Sequence, residues 1–256
     1  MIFNNVTNTL RRWCDEATDR FCEEYETERA NTGQSIRFLS YLVTAELSYK
    51  LGTLIDKDHP SFDAYRKGVL DLLPIHMDYT LKKPLGKVES YYVQRAETAF
   101  CKYMDTLLPD CPCPDVPYRR IIQGAEAERI ADQVYAAWEY DTTYWFPLNG
   151  MSGEDKLFIS PQRLHPYLEK ISRVLGLPQN RIYEYGEAEY DSPHCAEVDA
   201  LQDYAGAECA FLPKDFSWII YFSHENTVAF AGTIVPRIKE ILLPEKEHWN
   251  QLEWDD

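Results

Sequence analysis

Glycine is scarce in this chain: 11 in 256 residues, none clustered, so no loop can be drawn that would cradle a phosphate group. The Gly-x-Ser-x-Gly elbow of a hydrolase is absent, and so is the His-Glu-x-x-His pair of a zinc protease. Long apolar runs are missing as well. Trp218 to Phe222 is among the longest, far too short to cross a bilayer and bounded by charged or turn residues. The N-terminus reads Met-Ile-Phe-Asn-Asn and is charged by Arg11 without a signal-like apolar stretch, which leads us to expect a cytoplasmic protein. Seven cysteines, an odd number spread along the chain, fit reduced thiols better than a disulfide framework.

One further absence is local. Between Arg181 and Lys214 there is no Lys or Arg, while eight acidic side chains fall there: Glu184, Glu187, Glu189, Asp191, Glu197, Asp199, Asp203 and Glu208. The formal net charge of −16 sits mostly in the second half of the chain, since Ile121 to Asp256 holds 10 basic against 24 acidic residues. A field of one sign repels phosphate backbones and anionic lipid headgroups and attracts basic proteins. Neither nucleic acid nor a membrane is therefore an expected partner, and a basic protein is. Tyr183, Tyr185, Tyr190 and Tyr204 interleave with the carboxylates, supplying the stiff, amphipathic contact area of interface anchors. Glu184, Tyr185, Glu187, Glu189, Tyr190 and Asp191 form the expected partner-binding set. The bland alternative is a solvated acidic face.

The first hundred residues carry helical periodicity. Val6, Leu10, Trp13, Cys14, Ala17 and Phe21 make one apolar stripe, Ile36 to Leu54 a second, Phe62 to Leu73 a third with Ser61 as its cap, and Val88 to Leu107 a fourth. Four such helices with short turns predict a bundle over 1–108. Residues 109–117 contain four prolines, which cannot continue a helix and suit a linker. The pattern then changes. Ile130, Val134 and Trp138 predict a helix, while Thr142 to Leu148, Lys156 to Ile159 and Arg181 to Glu187 read as strands, the first two around the Asn149-Gly150 and Ser152-Gly153 turns. His165-Pro166 opens a helix through Leu175, and Cys195 to Tyr204 reads as a short acidic helix. Phe216 to Ser223 and Thr227 to Ala231 form a hairpin about His224-Glu225-Asn226, followed by a helix from Pro236 to Pro244. The fold class expected is α+β: a helical bundle, then a smaller acidic α/β region over 118–256 ending in an antiparallel hairpin and a helix.

Three constellations invite chemistry, and each has a plainer account. Cys111-Pro-Cys113 offers two soft ligands, but a tetrahedral zinc site needs four and no second pair follows, so a turn-rich linker explains them. Asp191, His194 and Cys195 have the composition of a nucleophilic set, yet acidic surroundings would leave less thiolate. Ser223-His224-Glu225 contains the residue types of a triad, but neighbours on a strand point to opposite faces. No catalytic residue, metal or cofactor is assigned on this basis.

The stretch from Asp215 to Gly232, with Trp218-Ile219-Ile220-Tyr221-Phe222, a turn, Thr227-Val228-Ala229-Phe230-Ala231 and a closing glycine before a helix, resembles the terminal hairpin of the SUKH group of bacterial immunity domains. That resemblance implies an α/β domain that binds and neutralises a toxin without catalytic residues of its own. The leading expectation is a protein-binding inhibitor, acting by occlusion of a basic toxin or nuclease. The alternatives are an enzyme with a site between the two regions, using His194, Cys195 or His224, and a non-catalytic scaffold or regulatory module.

Overall fold

The computed structural model describes residues 1–33, 35–75, 85–141, 156–177, 179–186, 194–201 and 208–251. The chain divides into two compact units, Met1–Val116 and Pro117–Asp256. Its class is α+β, with helices as the regular elements among the described residues of the first unit and an antiparallel sheet in the second. The second unit is the longer of the two, so the expected smaller size of that region is corrected.

In the first unit, α1 (Asn4–Thr32), α2 (Phe38–Leu51), α3 (Phe62–Leu70) and α4 (Lys87–Met104) follow the four stripes. Val6, Leu10, Cys14, Ala17 and Phe21 of α1 share one core with Leu39, Val43, Leu47 and Leu51 of α2, Tyr65 and Val69 of α3, and Val93, Ala96, Phe100 and Met104 of α4. Burying each such side chain contributes roughly 1.5–3 kcal/mol, which is what holds helices of ordinary propensity in place. Ser61 Oγ accepts from Ala64 N at 3.1 Å, capping α3 as its sequence position predicts. The Pro-rich stretch is packed rather than free. Asn5 Nδ2 donates to the carbonyls of Pro109 at 3.1 Å and Cys111 at 2.8 Å, tying that segment to the first turns of α1.

The second unit holds β1 (Arg119–Ile121), α5 (Ala125–Trp138), β2 (Lys156–Ile159), α6 (Pro161–Leu164), a 3-10 turn (His165–Tyr167) and α7 (Leu168–Val174). Next come β3 (Ile182–Gly186), β4 (His194–Val198), β5 (Cys209–Leu212), β6 (Trp218–Ser223), β7 (Thr227–Gly232) and α8 (Val235–Ile241). The strands form one sheet, ordered β1-β4-β3-β5-β6-β7-β2, with every pairing antiparallel. Period-two alternation gives it two buried faces. Tyr183, Tyr185, Cys195, Ala210, Leu212, Ile219, Tyr221, Ala229 and Phe158 point to the face where Ile130 and Val134 of α5 pack. Their neighbours Ile182, Glu184, Ala196, Val198, Phe211, Ile220, Phe222, Val228 and Phe230 are buried on the other. α6 and α8 pack on β7, α8 also on β2, and α7 packs on α8.

The expected acidic helix from Cys195 is instead β4, at least as far as Val198. β4 lies between β1 and β3, which pair with it on both sides. That tertiary pairing outweighs the weak local preference of a short segment. The strand expected over Thr142 to Leu148 and the turns at Asn149-Gly150 and Ser152-Gly153 lie outside the described residues. At the end of β7, Gly232 has φ 81°, and a Cβ there would come within 2.5 Å of the Ser217 carbonyl, so no other residue closes this hairpin without strain.

Candidate functional site

Four of the eight carboxylates in the base-free window lie among the described residues, and all four are engaged inside the second unit. Glu184 is only 1% exposed, and Arg119 grips it with Nη2 at 2.7 Å from Oε1 and Nη1 at 3.1 Å from Oε2. Glu197 takes Arg120 Nε at 3.1 Å and Lys214 Nζ at 2.5 Å. Asp199 accepts from the backbone N of Tyr118 at 2.9 Å. Glu208 belongs to a cluster at the β6–β7 turn.

The two arginines come from β1, which pairs with β4 so that Arg120 sits opposite Glu197. Arg120 also makes two bonds to Glu126 of α5, at 2.8 and 2.9 Å. Those hydrogen bonds hold the Glu126 carboxyl below its ordinary range. For Glu197, burial opposes ionisation, but the bonds and charges of Lys214 and Arg120 outweigh it and the carboxyl is likewise held low. The window that lacks bases along the chain thus receives them across the sheet.

Of the expected partner-binding set, Glu184 and Tyr185 are buried in β3 and cannot meet a partner from there. Tyr185 faces the α5 side, where its ring stands edge-on to Tyr140 at 5.8 Å, and burial pushes its hydroxyl up to about 12. Period two explains the correction: alternate residues of a strand covered on both faces are all inside. Glu187, Glu189, Tyr190 and Asp191 lie outside the described residues.

Among the candidates for chemistry, Cys195 is buried beneath α5 and its thiol is pushed up to about 12 by burial, which removes it as a nucleophile. His194 begins β4. His224 is different. Its Nδ1 meets Glu208 Oε1, and its own backbone N also donates to that oxygen at 3.3 Å. Ser223 Oγ is 3.3 Å from the same oxygen, so the serine bonds to the acid and not in series through the histidine. Glu208 is 3% exposed, and among the described residues its Oε2 has no hydrogen-bond partner. His224, by contrast, is 54% exposed, with Nε2 3.4 Å from Glu225 Oε1. The residue missed in sequence was Glu208, because its partner lies 16 positions away across paired strands. Adjacent strands place Cys209 opposite Phe222, which brings Glu208 beside Ser223.

A second feature lies on α5. Its inner face carries Ile130 and Val134, with Ala127, Ala131 and Trp138 alongside. Glu128, Asp132, Tyr135 and Glu139 are all exposed. At 3.6 residues per turn these four fall within about 60° of arc and span about 17 Å. Tyr135 is 58% exposed at the middle of the row. Among the described residues, Glu128, Asp132 and Glu139 have no ion-pair partner, unlike Glu126 on the flank.

No protein-family model, curated protein or solved structure matches the chain. Among the described residues no helix is long and apolar enough to cross a membrane, and no group of three or more His, Cys, Asp and Glu side chains is arranged to hold a metal ion.

Proposed function

We propose that the protein is a cytoplasmic inhibitor that binds a basic protein, in the manner of an immunity protein blocking a toxin or nuclease by occlusion. The observation that carries this reading is the outer face of α5, where Glu128, Asp132 and Glu139 flank an exposed tyrosine and, among the described residues, none of the three has an ion-pair partner. Acidic residues in the first turn of a helix are accounted for by the helix dipole, as Glu126 and Glu128 are here. Asp132 in mid-helix and Glu139 at the C-terminal end gain nothing from it. Glu139 caps the helix with φ 54° and places a negative charge where a positive one would be favoured. A cationic surface on a partner supplies the missing countercharge, and Tyr135 supplies apolar area at the centre. The wider field agrees in sign, since Pro117 to Asp256 carries 12 basic and 24 acidic residues.

Affinity capture with the native protein, followed by mass spectrometry, identifies the partner. Association rates are then compared for the wild type and a Glu128→Lys, Asp132→Lys, Glu139→Lys triple variant at two ionic strengths. The proposal expects association slowed at least about tenfold by the triple reversal, and weakened for the wild type by salt, because exposed charges act mainly on encounter. Equal rates and no salt dependence would reduce the face to solvated charge. An acid–base enzyme is the second reading, favoured by the Glu208–His224 pair, in which one nitrogen of a half-exposed ring is fixed by a buried acid and the other lies 3.4 Å from Glu225 Oε1. A turnover lost in Glu208→Gln and in His224→Gln, with partner binding intact, would carry that reading instead.

A further inference from the structure

We propose that Asn250 is a lock on the edge of the sheet, and that its release lets β2 pair with β2 of a second copy of this chain. β2 ends the strand order, with β7 as its one partner strand among the described residues. On its outer side Phe158 N donates to Asn250 Oδ1 at 3.0 Å, and Asn250 N donates to the Phe158 carbonyl at 2.9 Å. Backbone groups alternate in direction along an antiparallel strand, so those of Leu157 and Ile159 turn towards β7 and those of Phe158 away from it. A residue of a neighbouring strand would present one N–H and one C=O at that point. Asn250 supplies the N–H from its backbone and the C=O from its side chain.

A short run of chain brings Asn250 there. After α8, which packs on β2, a 3-10 segment (Leu243–His248) leads to Trp249, whose Nε1 donates to the Leu242 carbonyl at 3.1 Å and fixes the approach. Asn250 then takes φ 58°, a left-handed conformation that asparagine tolerates better than most residues. The strand itself carries modest protection. Lys156 at its start and Pro161 just beyond its end are residue types that blunt sheet edges, but neither occupies the outer groups of Phe158.

The occupant is a second copy because the groups that Asn250 holds are self-complementary. A twofold axis beside Phe158 lets the Phe158 N–H of each copy bond to the Phe158 carbonyl of the other, using the same donor and acceptor, and joins two seven-stranded sheets into one. The side chains of β2 are already buried within their own unit, so the contact is made by main chain and is small, and small interfaces are weak. The net charge of −16 on each copy opposes it further. A pair of bonds made within the chain, at high effective concentration, therefore competes well against it, and the locked chain is a monomer. The edge involves no residue of α5.

The test uses the full-length protein, isotopically labelled at phenylalanine nitrogen, at low and high micromolar concentration. Light scattering after a sizing column gives the mass, and hydrogen exchange read by NMR gives the protection of the Phe158 amide. The wild type should be a monomer with that amide protected at both concentrations. Asn250→Pro removes the donor, the acceptor and the left-handed backbone together. When dilute, its Phe158 amide should exchange at least about tenfold faster than in the wild type. When concentrated, its mass should double, the amide should regain protection, and salt should strengthen the dimer by screening like charges. Asn250→Asp, which keeps an acceptor, should behave as the wild type does. If Asn250→Pro fails a circular-dichroism check of its fold, Asn250→Gly, which adopts the same φ and loses only Oδ1, is read by the same criteria. An unlocked variant whose Phe158 amide exchanges no faster or which stays monomeric when concentrated, a dimer in which that amide remains unprotected, or a wild type already dimeric would each overturn the lock.

Discussion

Arg119 reaches Glu184 across β4, the strand between their own, closing a two-pronged ion pair between residues 65 positions apart. The carboxylate is almost wholly out of water, the guanidinium only partly so, at 1% and 19% exposed. Removing one partner of such a pair leaves a charge uncompensated, which costs about 3–5 kcal/mol, whereas replacing both with apolar groups is often neutral. Arg119→Met should therefore lower stability in urea by that order, and Arg119→Met/Glu184→Leu should recover most of it. A loss below about 1 kcal/mol for the single variant would mean that water reaches Glu184.

Acid should act on the same strand region. Glu126 and Glu197 both have folded-state values below their ordinary 4.5. A depressed carboxyl contributes stability that is complete above the unfolded value and is lost as pH falls through the folded one. Stability should hold to about pH 5 and decline below 4.5, and Arg120→Gln, which removes a partner of both acids, should flatten that decline. Urea midpoints across the acid range measure it. An unchanged slope in the variant would place the acid sensitivity elsewhere.

Thiol accessibility gives an independent check on the core. Burial raises Cys14, Cys195 and Cys209, while Cys113 is exposed. Alkylation of the native protein at about pH 8, read by peptide mass, should label Cys113 first and leave those three unmodified until the protein unfolds. Rapid labelling of Cys195 would contradict its position beneath α5 and reopen it as a nucleophile.

The helical unit was legible because its signal is local: four apolar stripes, each long enough to show its period, map onto α1 to α4, and Ser61 caps where a cap was due. The terminal hairpin was legible for the same reason, with β6 and β7 meeting at His224-Glu225-Asn226. What sequence hid was non-local. Arg119-Arg120 makes too short a strand to show a period, and Cys195 to Val198 reads as β only once its neighbours are known. A signal for the ion pairs did exist. Glu184 falls between Tyr183 and Tyr185 in a strand whose every residue is buried, and a buried carboxylate demands a base. The base that answers it, Arg119, stands 65 positions away on β1, with nearer bases such as Arg181 between them in the chain.

Glu208 separates a structural from a functional account of the β6–β7 turn. Its Oε1 gathers Ser223, the backbone of His224 and the His224 ring, while Oε2 is buried without a partner among the described residues. If the acid is there to hold the turn, Glu208→Ala should cost about 1–3 kcal/mol, because it strands the groups that bonded to it, and Glu208→Gln, which keeps an acceptor oxygen, should cost less. If instead the carboxylate is kept for what it does to His224, a buried acid with one idle oxygen is a liability, and Glu208→Leu should leave stability unchanged or raise it. Urea midpoints for the three variants decide between these accounts. The order Ala worse than Gln, with Leu also destabilised, makes the cluster a hairpin clamp. A stabilised Glu208→Leu marks a group retained at a cost to folding, and makes His224 Nε2 the first position at which to look for chemistry.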